Sequence, residues 1–162
     1  MTGNSFKFRL WCYKSGMAEK KTVLKNSSLS KKQVGIVEAL IFDSEGKILL
    51  LRRSDNNSMY VGKWQLPGGK VEEGETALEA IMREVREEIA CNCLRAKKLK
   101  EITFSNIFKN KKETVKLTTF SCDIDGQLAL STEHSQLKFF NRKKIPKTML
   151  APASLRALFL KK

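Results

Sequence analysis

One stretch of the chain decides the fold, and it reads Gly69-Lys-Val-Glu-Glu-Gly-Glu75-Thr-Ala-Leu-Glu-Ala-Ile-Met-Arg83-Glu84-Val-Arg-Glu87-Glu88-Ile-Ala-Cys91. It follows directly from a tight Pro67-Gly68-Gly69 turn, in which the glycines let the backbone approach a ligand closely. Thr76 is followed three residues later by Glu79, which is the spacing of a capping box. A helix is therefore predicted to begin at this point.

Apolar side chains recur along this helix within a stripe about 100° wide, which predicts one buried face. The stripe consists of Leu78, Ile81, Met82, Val85 and Ile89. Asn92 or Cys93 is predicted to end the helix. If the residues that follow form a strand, the thiols of Cys91 and Cys93 point to the same face.

Three carboxylates lie beside the stripe, because Glu84, Glu87 and Glu88 are spaced i, i+3 and i+4 and share one sector of the helix. Like charges so close repel each other, and a hard divalent cation such as Mg²⁺ would convert that repulsion into ligation by oxygen. The alternative is a solvated acidic face supported by Arg83 and Arg86. Taken alone, the helix favours the solvated face, because charged helix faces are common.

The whole stretch resembles the Nudix box, a glycine, five residues, Glu, seven residues, Arg-Glu-aliphatic-x-Glu-Glu, one residue, glycine and an aliphatic residue. Every position of catalytic type matches, and two departures lie at the end, where Ala90 and Cys91 replace the glycine and the aliphatic residue. The resemblance extends over residues 34–160 and is greatest to the MutT-like branch. It takes in the approach to the box and the late segment Glu133–Phe140.

The resemblance implies an α/β fold, an α/β/α sandwich in which a mixed β-sheet lies between helices and the box forms a loop-helix-loop. It also implies one or more Mg²⁺ or Mn²⁺ ions held by Glu84, Glu87, Glu88 and the carbonyl of Gly69. Arg83 belongs to the catalytic set through its support of the acidic ligands.

Further roles follow from the same resemblance. Glu75 would support the box from within by pairing with Arg83, since the two lie about two helical turns apart. Glu133, in the acidic loop, is the predicted catalytic base, and Glu84 is the next candidate. Arg52 or Arg53 would contact substrate phosphates, with a solvated strand end as the alternative.

Several other polar or aromatic residues near these positions are predicted to have structural roles. Asp123 and Asp125 end a predicted strand beside Gly126, and turn chemistry explains them. Trp64 is predicted to pack in the core, and His134 to be structural or to position a loop.

The implied reaction is metal-dependent hydrolysis of the diphosphate linkage of a nucleoside di- or triphosphate or a related derivative, as in MutT-like (d)NTP pyrophosphohydrolases. An RNA 5′-pyrophosphohydrolase would use the same site, but no interleaved aromatic and basic stripe marks an RNA track. A non-catalytic nucleotide-binding module would normally have lost a box carboxylate, and none is lost here.

The substrate is less well defined by the sequence. The proline and tyrosine that mark ADP-ribose and dinucleoside polyphosphate hydrolases are both absent from residues 105–109. The asparagine with which MutT reads 8-oxoguanine is absent from residues 148–152, so no residue supports 8-oxo-dGTP.

Composition limits the classes of protein that remain. The 162 residues carry 31 Lys and Arg against 17 Asp and Glu, a formal charge of +14 that attracts anions such as nucleotides, RNA or acidic membranes. No apolar run approaches the roughly 20 residues of a membrane span. The four cysteines lack paired C-x-x-C spacing, which favours reduced thiols in a cytoplasmic protein over a metal or redox site.

The domain prediction assigns residues 34–162 to one Nudix hydrolase domain and residues 1–33 to an N-terminal extension, or to a strand over 5–13 plus a linker. A hairpin is predicted from strands over 34–42 and 47–53, joined by Asp43-Ser44-Glu45-Gly46. Further strands are predicted over 101–108, 114–124 and 136–140, and a last helix over 152–160.

Overall fold

The computed structural model describes residues 33–56, 59–108 and 111–160. The elements in chain order are β1 Gln33–Leu40, β2 Ile48–Arg53, β3 Trp64–Gln65, α1 Ala77–Ile89, β4 Asn92–Phe108, β5 Lys111–Asp125, β6 His134–Phe140 and α2 Pro152–Phe159. Two short 3-10 turns, Arg142–Lys144 and Lys147–Met149, precede α2. The predicted strand over 5–13 and nearly all of the predicted linker lie outside the described residues.

The strands form two three-stranded sheets. The first has the order β1-β5-β4, with β1 parallel to β5 and β4 antiparallel to it; the second is antiparallel with the order β3-β2-β6. Alternate residues of β1 enter different cores, because Val37 and Ala39 pack toward α1 while Ile36 and Leu40 pack toward α2. This layering confirms the predicted α/β/α sandwich, with the mixed sheet divided into two parts.

Helix α1 begins as predicted. The side chain of Thr76 accepts a hydrogen bond from Glu79 N at 3.2 Å, and Glu79 Oε2 accepts one from Thr76 N at 2.8 Å, which completes the capping box. The predicted end at Asn92 or Cys93 is wrong. The helix ends at Ile89, because Ala90 adopts the left-handed conformation (φ 57°). Ala90 thus takes the helix-terminating conformation that a glycine at this position would adopt.

The predicted apolar stripe of α1 is only partly buried. Ile81, Val85 and Ile89 are buried, but Leu78 and Met82 are 47% and 38% exposed. The helix is rotated so that the sector of Glu84 and Glu88 faces the glycine-rich loop, and this rotation leaves the opposite edge of the stripe in solvent. Within the acidic sector, Glu88 is therefore buried and Glu84 half-buried, whereas Glu87 is exposed.

The predicted hairpin is present only at its tip, where Asp43 N donates to Lys47 O and Leu49 N donates to Ile41 O on either side of a bridge between Phe42 and Ile48. Strands β1 and β2 themselves belong to different sheets. The edge of β1 that a hairpin would use is taken by residues 67–71 of the glycine-rich loop. In addition, the strand predicted over 101–108 begins earlier, at Asn92. Exposed lysines along β4 weaken the alternation by which a strand is recognised in a sequence.

Two smaller predictions concern buried residues. Cys91, Cys93 and Cys122 are buried free thiols, and their reduced state stays a prediction. Trp64 is buried and packs edge to face on Phe140, with ring centroids 4.8 Å apart. Within the described ranges, none of the helices is long and apolar enough to cross a membrane.

Candidate active site

The glycine-rich loop brings its backbone against β1. Val37 N donates to Gly69 O at 2.9 Å, and Ala39 N donates to Pro67 O at 2.8 Å. Gly68 has a φ of +147°, and a Cβ there would lie 2.8 Å from the Cα of Glu38, so this crossing requires glycine. The Gly69 carbonyl keeps a second lone pair beyond its bond to Val37.

Glu84 faces this loop from α1. A Cβ at Gly69 would lie 2.6 Å from the carboxyl carbon of Glu84, so the two residues fit together only because Gly69 has no side chain. Burial raises the pKa of Glu84 above its ordinary value, and the nearby charges of Glu87 and Glu133 raise it further. The hydrogen bond from Arg83 acts in the opposite direction without cancelling this effect.

Arg83 connects the loop to the acidic sector. It binds Glu75 through two atoms, with Nε to Oε1 at 2.9 Å and Nη2 to Oε2 at 3.0 Å. Its Nη1 donates to Glu84 at 2.9 Å and to Glu87 at 3.0 Å, and its Nη2 donates to the carbonyl of Lys70 at 3.0 Å. The hydrogen bonds with Glu75 and the acidic sector raise the pKa of Arg83 and lower that of Glu75. The expected pairing of Glu75 with Arg83 is thus present.

Glu88 is buried beneath the loop. Its Oε2 accepts a hydrogen bond from Gly68 N at 2.8 Å, and its Oε1 lies 3.5 Å from both Gln65 Nε2 and His134 Nε2. Burial, followed by the charges of Glu84 and Glu133, raises the pKa of Glu88 well above its usual range. The carboxylate therefore sits in a site that lacks full compensation for its charge.

Arg53 reaches this network, and Arg52 does not. Arg53 Nη1 donates to Gln65 Oε1 at 3.0 Å, which turns the amide nitrogen of Gln65 toward His134 Nε2, 3.1 Å away. Arg52 instead points its Nε to the carbonyl of Gly62, at 3.4 Å. Of the two arginines expected to contact phosphate, only Arg53 lies beside the acidic residues.

His134 acts as a neutral structural residue in this network. Burial lowers its pKa to about 4, so the ring is uncharged at neutral pH. Because Gln65 presents an N–H to Nε2, that ring nitrogen accepts, and Nδ1–H donates to Ser131 Oγ at 3.2 Å. This tautomer holds the segment around Glu133 against α1, where Ser131 N also donates to Glu88 O at 3.0 Å.

Glu133 lies in the loop immediately before β6. Its carbonyl accepts from Ser54 N at 3.0 Å, which attaches the loop to the end of β2. Its charge raises the pKa values of both Glu84 and Glu88. Asp123 and Asp125 lie in β5, paired in register with Arg95 and Asn92 of β4.

The donor set fits a hard divalent cation. Across residues 33–56, 59–108 and 111–160, no three His, Cys, Asp or Glu side chains already surround one point as a formed metal site. However, the charges of Glu87 and Glu133 help to raise the pKa of Glu84, those of Glu84 and Glu133 help to raise the pKa of Glu88, and Arg83 balances only part of this negative charge. A cation with oxygen ligands would relieve this repulsion. Glu84, Glu87, Glu88 and the Gly69 carbonyl are the groups that would hold it.

A cavity of about 230 Å³ adjoins the cluster and is bounded in part by Gly68, Gly69 and Arg53. Two residues in its wall, Gln65 and Glu38, were not expected from the sequence. The sequence contains one indication of the importance of Glu38, which is the single charged residue in the apolar run from Val34 to Phe42. It contains no such indication for Gln65, whose hydrogen bonds to Arg53 and His134 become visible only in the structure.

Comparison with known proteins identifies relatives of the whole described region. A NUDIX domain family model matches residues 32–159. The ADP-ribose pyrophosphatase of Methanocaldococcus jannaschii is 30% identical over 139 residues, which cover 82% of this chain and 79% of that protein. The crystal structure of a MutT protein from Methanosarcina mazei superposes with a TM-score of 0.68 at 32% identity, covering 82% of this chain and 94% of that one.

A third relative matches a shorter segment. The 8-oxo-dGDP phosphatase NUDT18 of Danio rerio is 41% identical over 66 residues, or 41% of this chain. The match spans only 20% of the length of that relative.

Proposed function

The chain belongs to the Nudix family, and on that premise we propose that it is a metal-dependent hydrolase of a diphosphate linkage in a nucleoside di- or triphosphate or a related nucleotide. The observation that carries the proposal is the cluster of Glu84, Glu87, Glu88 and Glu133. Arg83 holds two of its members, Glu84 and Glu87, beside the glycine-rich loop. The activity is assigned to residues 34–162. The buried free thiols support a reducing, cytoplasmic location.

The chain's own residues would prepare the site for phosphate. Arg83 fixes Glu84 and Glu87 in place, so that little reorganisation is needed when an ion and substrate arrive. The Gly68 N–H donates a hydrogen bond to Oε2 of Glu88, and Oε1 of the same carboxyl group faces Gln65 and His134. A bound Mg²⁺ or Mn²⁺ would neutralise the diphosphate and lower the pKa of a coordinated water.

Proton transfer is assigned to the acidic loop. Glu133 lies across from α1, and a carboxylate there would accept the proton of the water that attacks phosphorus. The new bond joins the water oxygen to that phosphorus, and the bond to the bridging oxygen breaks. Glu84 is the next candidate, since burial raises the pKa of its carboxyl group above the ordinary value and so makes it a stronger base.

The relatives narrow the substrate class without agreeing on a substrate. Their names refer to ADP-ribose, to 8-oxo-dGDP and to MutT proteins. All of these are consistent with a nucleotide whose phosphates bind at the acidic cluster and whose organic part lies beyond it. We favour a MutT-like (d)NTP pyrophosphohydrolase.

The test is a measurement of phosphate and pyrophosphate release with Mg²⁺ across dNTPs, NTPs, nucleoside diphosphates, ADP-ribose and triphosphorylated RNA. We expect a nucleoside monophosphate and pyrophosphate from one or more triphosphates. Glu88→Gln should abolish release, while Glu73→Gln, at an exposed position before α1, should not. Absence of hydrolysis with every substrate would contradict the proposal. A preference for triphosphorylated RNA would favour an RNA 5′-pyrophosphohydrolase over a (d)NTP pyrophosphohydrolase.

A further inference from the structure

The cavity beside the acidic cluster lies between the α2-facing side of the first sheet and the start of α2. Its wall is largely apolar and includes Ile36, Val115, Phe104 and Pro152. At one end it reaches Gly68 and Gly69, and so adjoins the proposed phosphate site. A nucleotide with its phosphates at the carboxylates would place its base in this apolar space.

Glu38 interrupts that apolar wall. It lies in the middle of β1 and is only 4% exposed. Its Oε1 accepts a hydrogen bond from Ser154 Oγ at 2.5 Å, and Ser154 Oγ in turn accepts one from Leu66 N at 2.9 Å. Oε2 of Glu38 is buried and has no hydrogen-bond partner in the part of the chain that the structure describes.

The neighbouring strand, β5, also carries a buried polar side chain without a hydrogen-bond partner among the described residues. Thr119 of β5 is the register partner of Glu38, so the two side chains lie on the same face of the sheet. The buried hydroxyl of Thr119 likewise has no partner among the described residues. Leaving a buried polar group unpaired costs about 1 to 3 kcal/mol. Of the two residues, Glu38 lines the cavity, so its unpaired oxygen indicates a role in binding there.

The chemistry of Glu38 limits what it recognises. Burial raises its pKa to about 8, so the carboxyl group is neutral near pH 7. Because Oε1 accepts from Ser154, the proton belongs on Oε2, which becomes a donor without an acceptor. A neutral donor in an apolar wall suits a carbonyl oxygen or ring nitrogen of a heterocyclic base.

We propose that Glu38 selects the substrate by donating a hydrogen bond from Oε2 to an acceptor atom of the nucleobase bound in this cavity. This inference rests on the proposed hydrolysis of nucleotides and adds a specificity-determining residue to it. Ser154 positions the Glu38 carboxyl group from the first turn of α2.

The experiment compares steady-state kinetics of the wild type with Glu38→Gln and Glu38→Met. Each is assayed on its preferred nucleoside triphosphate and on ribose 5-triphosphate, which lacks a base. Gln keeps both an acceptor for Ser154 and a donor for the base, whereas Met keeps only the volume. Glu38→Leu serves as a second apolar variant of different shape, should Met disturb the fold, and thermal unfolding checks each protein.

We expect kcat/KM for the nucleotide to fall about tenfold or more in the apolar variants, the value of one lost hydrogen bond of about 1.4 kcal/mol. The Gln variant should remain within about threefold of the wild type, and hydrolysis of ribose 5-triphosphate should be unchanged throughout. Equal losses on both substrates, or no loss in a folded apolar variant, would overturn the role of Glu38. Absence of hydrolysis by the wild type would instead overturn the proposed function.

Discussion

The carboxyl group of Glu84 lies directly against Gly69. A Cβ atom on Gly69 would be 2.6 Å from the carboxyl carbon of Glu84, so a side chain at position 69 would displace Glu84. Gly69 also accepts a hydrogen bond from Val37 of β1. The loop is therefore fixed on one side by the sheet and contacts the acidic sector of α1 on the other. The position of Glu84 depends on this close approach.

Gly69→Ala should displace Glu84 and reduce kcat by about tenfold or more, since a misplaced ligand costs transition-state stabilisation. The matched control is Gly46→Ala in the turn before β2. Gly46 has a φ of +74° and open space around it, so alanine there should cost about 1 kcal/mol of stability and leave kcat unchanged. Steady-state kinetics and urea unfolding measure both effects. A Gly69→Ala enzyme with full turnover would show that the contact is unimportant.

Arg83→Lys should impair both stability and turnover. A lysine ammonium cannot reproduce the two-atom contact with Glu75 while also bonding Glu84 and Glu87. We expect a loss of about 1.5 to 3 kcal/mol in the free energy of unfolding, together with a lower kcat. Arg86→Lys, at an exposed position of the same helix, is the control and should behave as wild type. If the two variants behave alike, Arg83 does not organise the cluster.

Glu133→Gln should lower kcat by about 100-fold or more under saturating Mg²⁺, if Glu133 is the base. Asp123→Asn should be near normal, because Asp123 lies along β5 in register with Arg95. Glu84→Gln is measured beside them, since it is the alternative base. Near-normal kcat in Glu133→Gln with a large loss in Glu84→Gln would transfer the role to Glu84.

The raised pKa of Glu38 predicts a specific pH dependence of stability. Its pKa is about 8 in the folded protein against an ordinary value of 4.5. Between these values the folded state holds a proton that the unfolded state has released, so stability from this group falls as pH rises from about 5 to about 8. Glu38→Gln should remove that slope. Tm measured against pH for both proteins tests this, and parallel curves would exclude it.

The sequence predicted some local contacts better than those between distant segments. The box spacing predicted the pairing of Glu75 with Arg83, which the structure contains, because the two residues are close in the chain. The functional roles of the box residues stay predictions. The orientation of α1 was not predictable in this way. Hydrophobicity favours Leu78 and Met82 as core residues, but both are exposed, whereas Ala80 and Glu88 of the same helix are buried.

Contacts between distant segments explain the remaining differences. The turn before β2 was recognised, yet its strands separate into two sheets, because residues 67–71 occupy the edge of β1. The networks of Gln65 with His134 and of Glu38 with Ser154 join residues 69 and 116 positions apart. Single-sequence patterns carry no information on such pairs, and the fold alone brings them together.

The most direct test of the account is the metal dependence of turnover. Product release from the preferred nucleotide is measured with Mg²⁺, in excess EDTA, and after Mg²⁺ or Mn²⁺ is restored, for the wild type, Glu87→Gln and Glu88→Gln. We predict that activity disappears with EDTA and returns with either ion, and that both variants lose about 100-fold or more in kcat while remaining folded. Full turnover in excess EDTA would contradict the central claim that these carboxylates bind a catalytic metal.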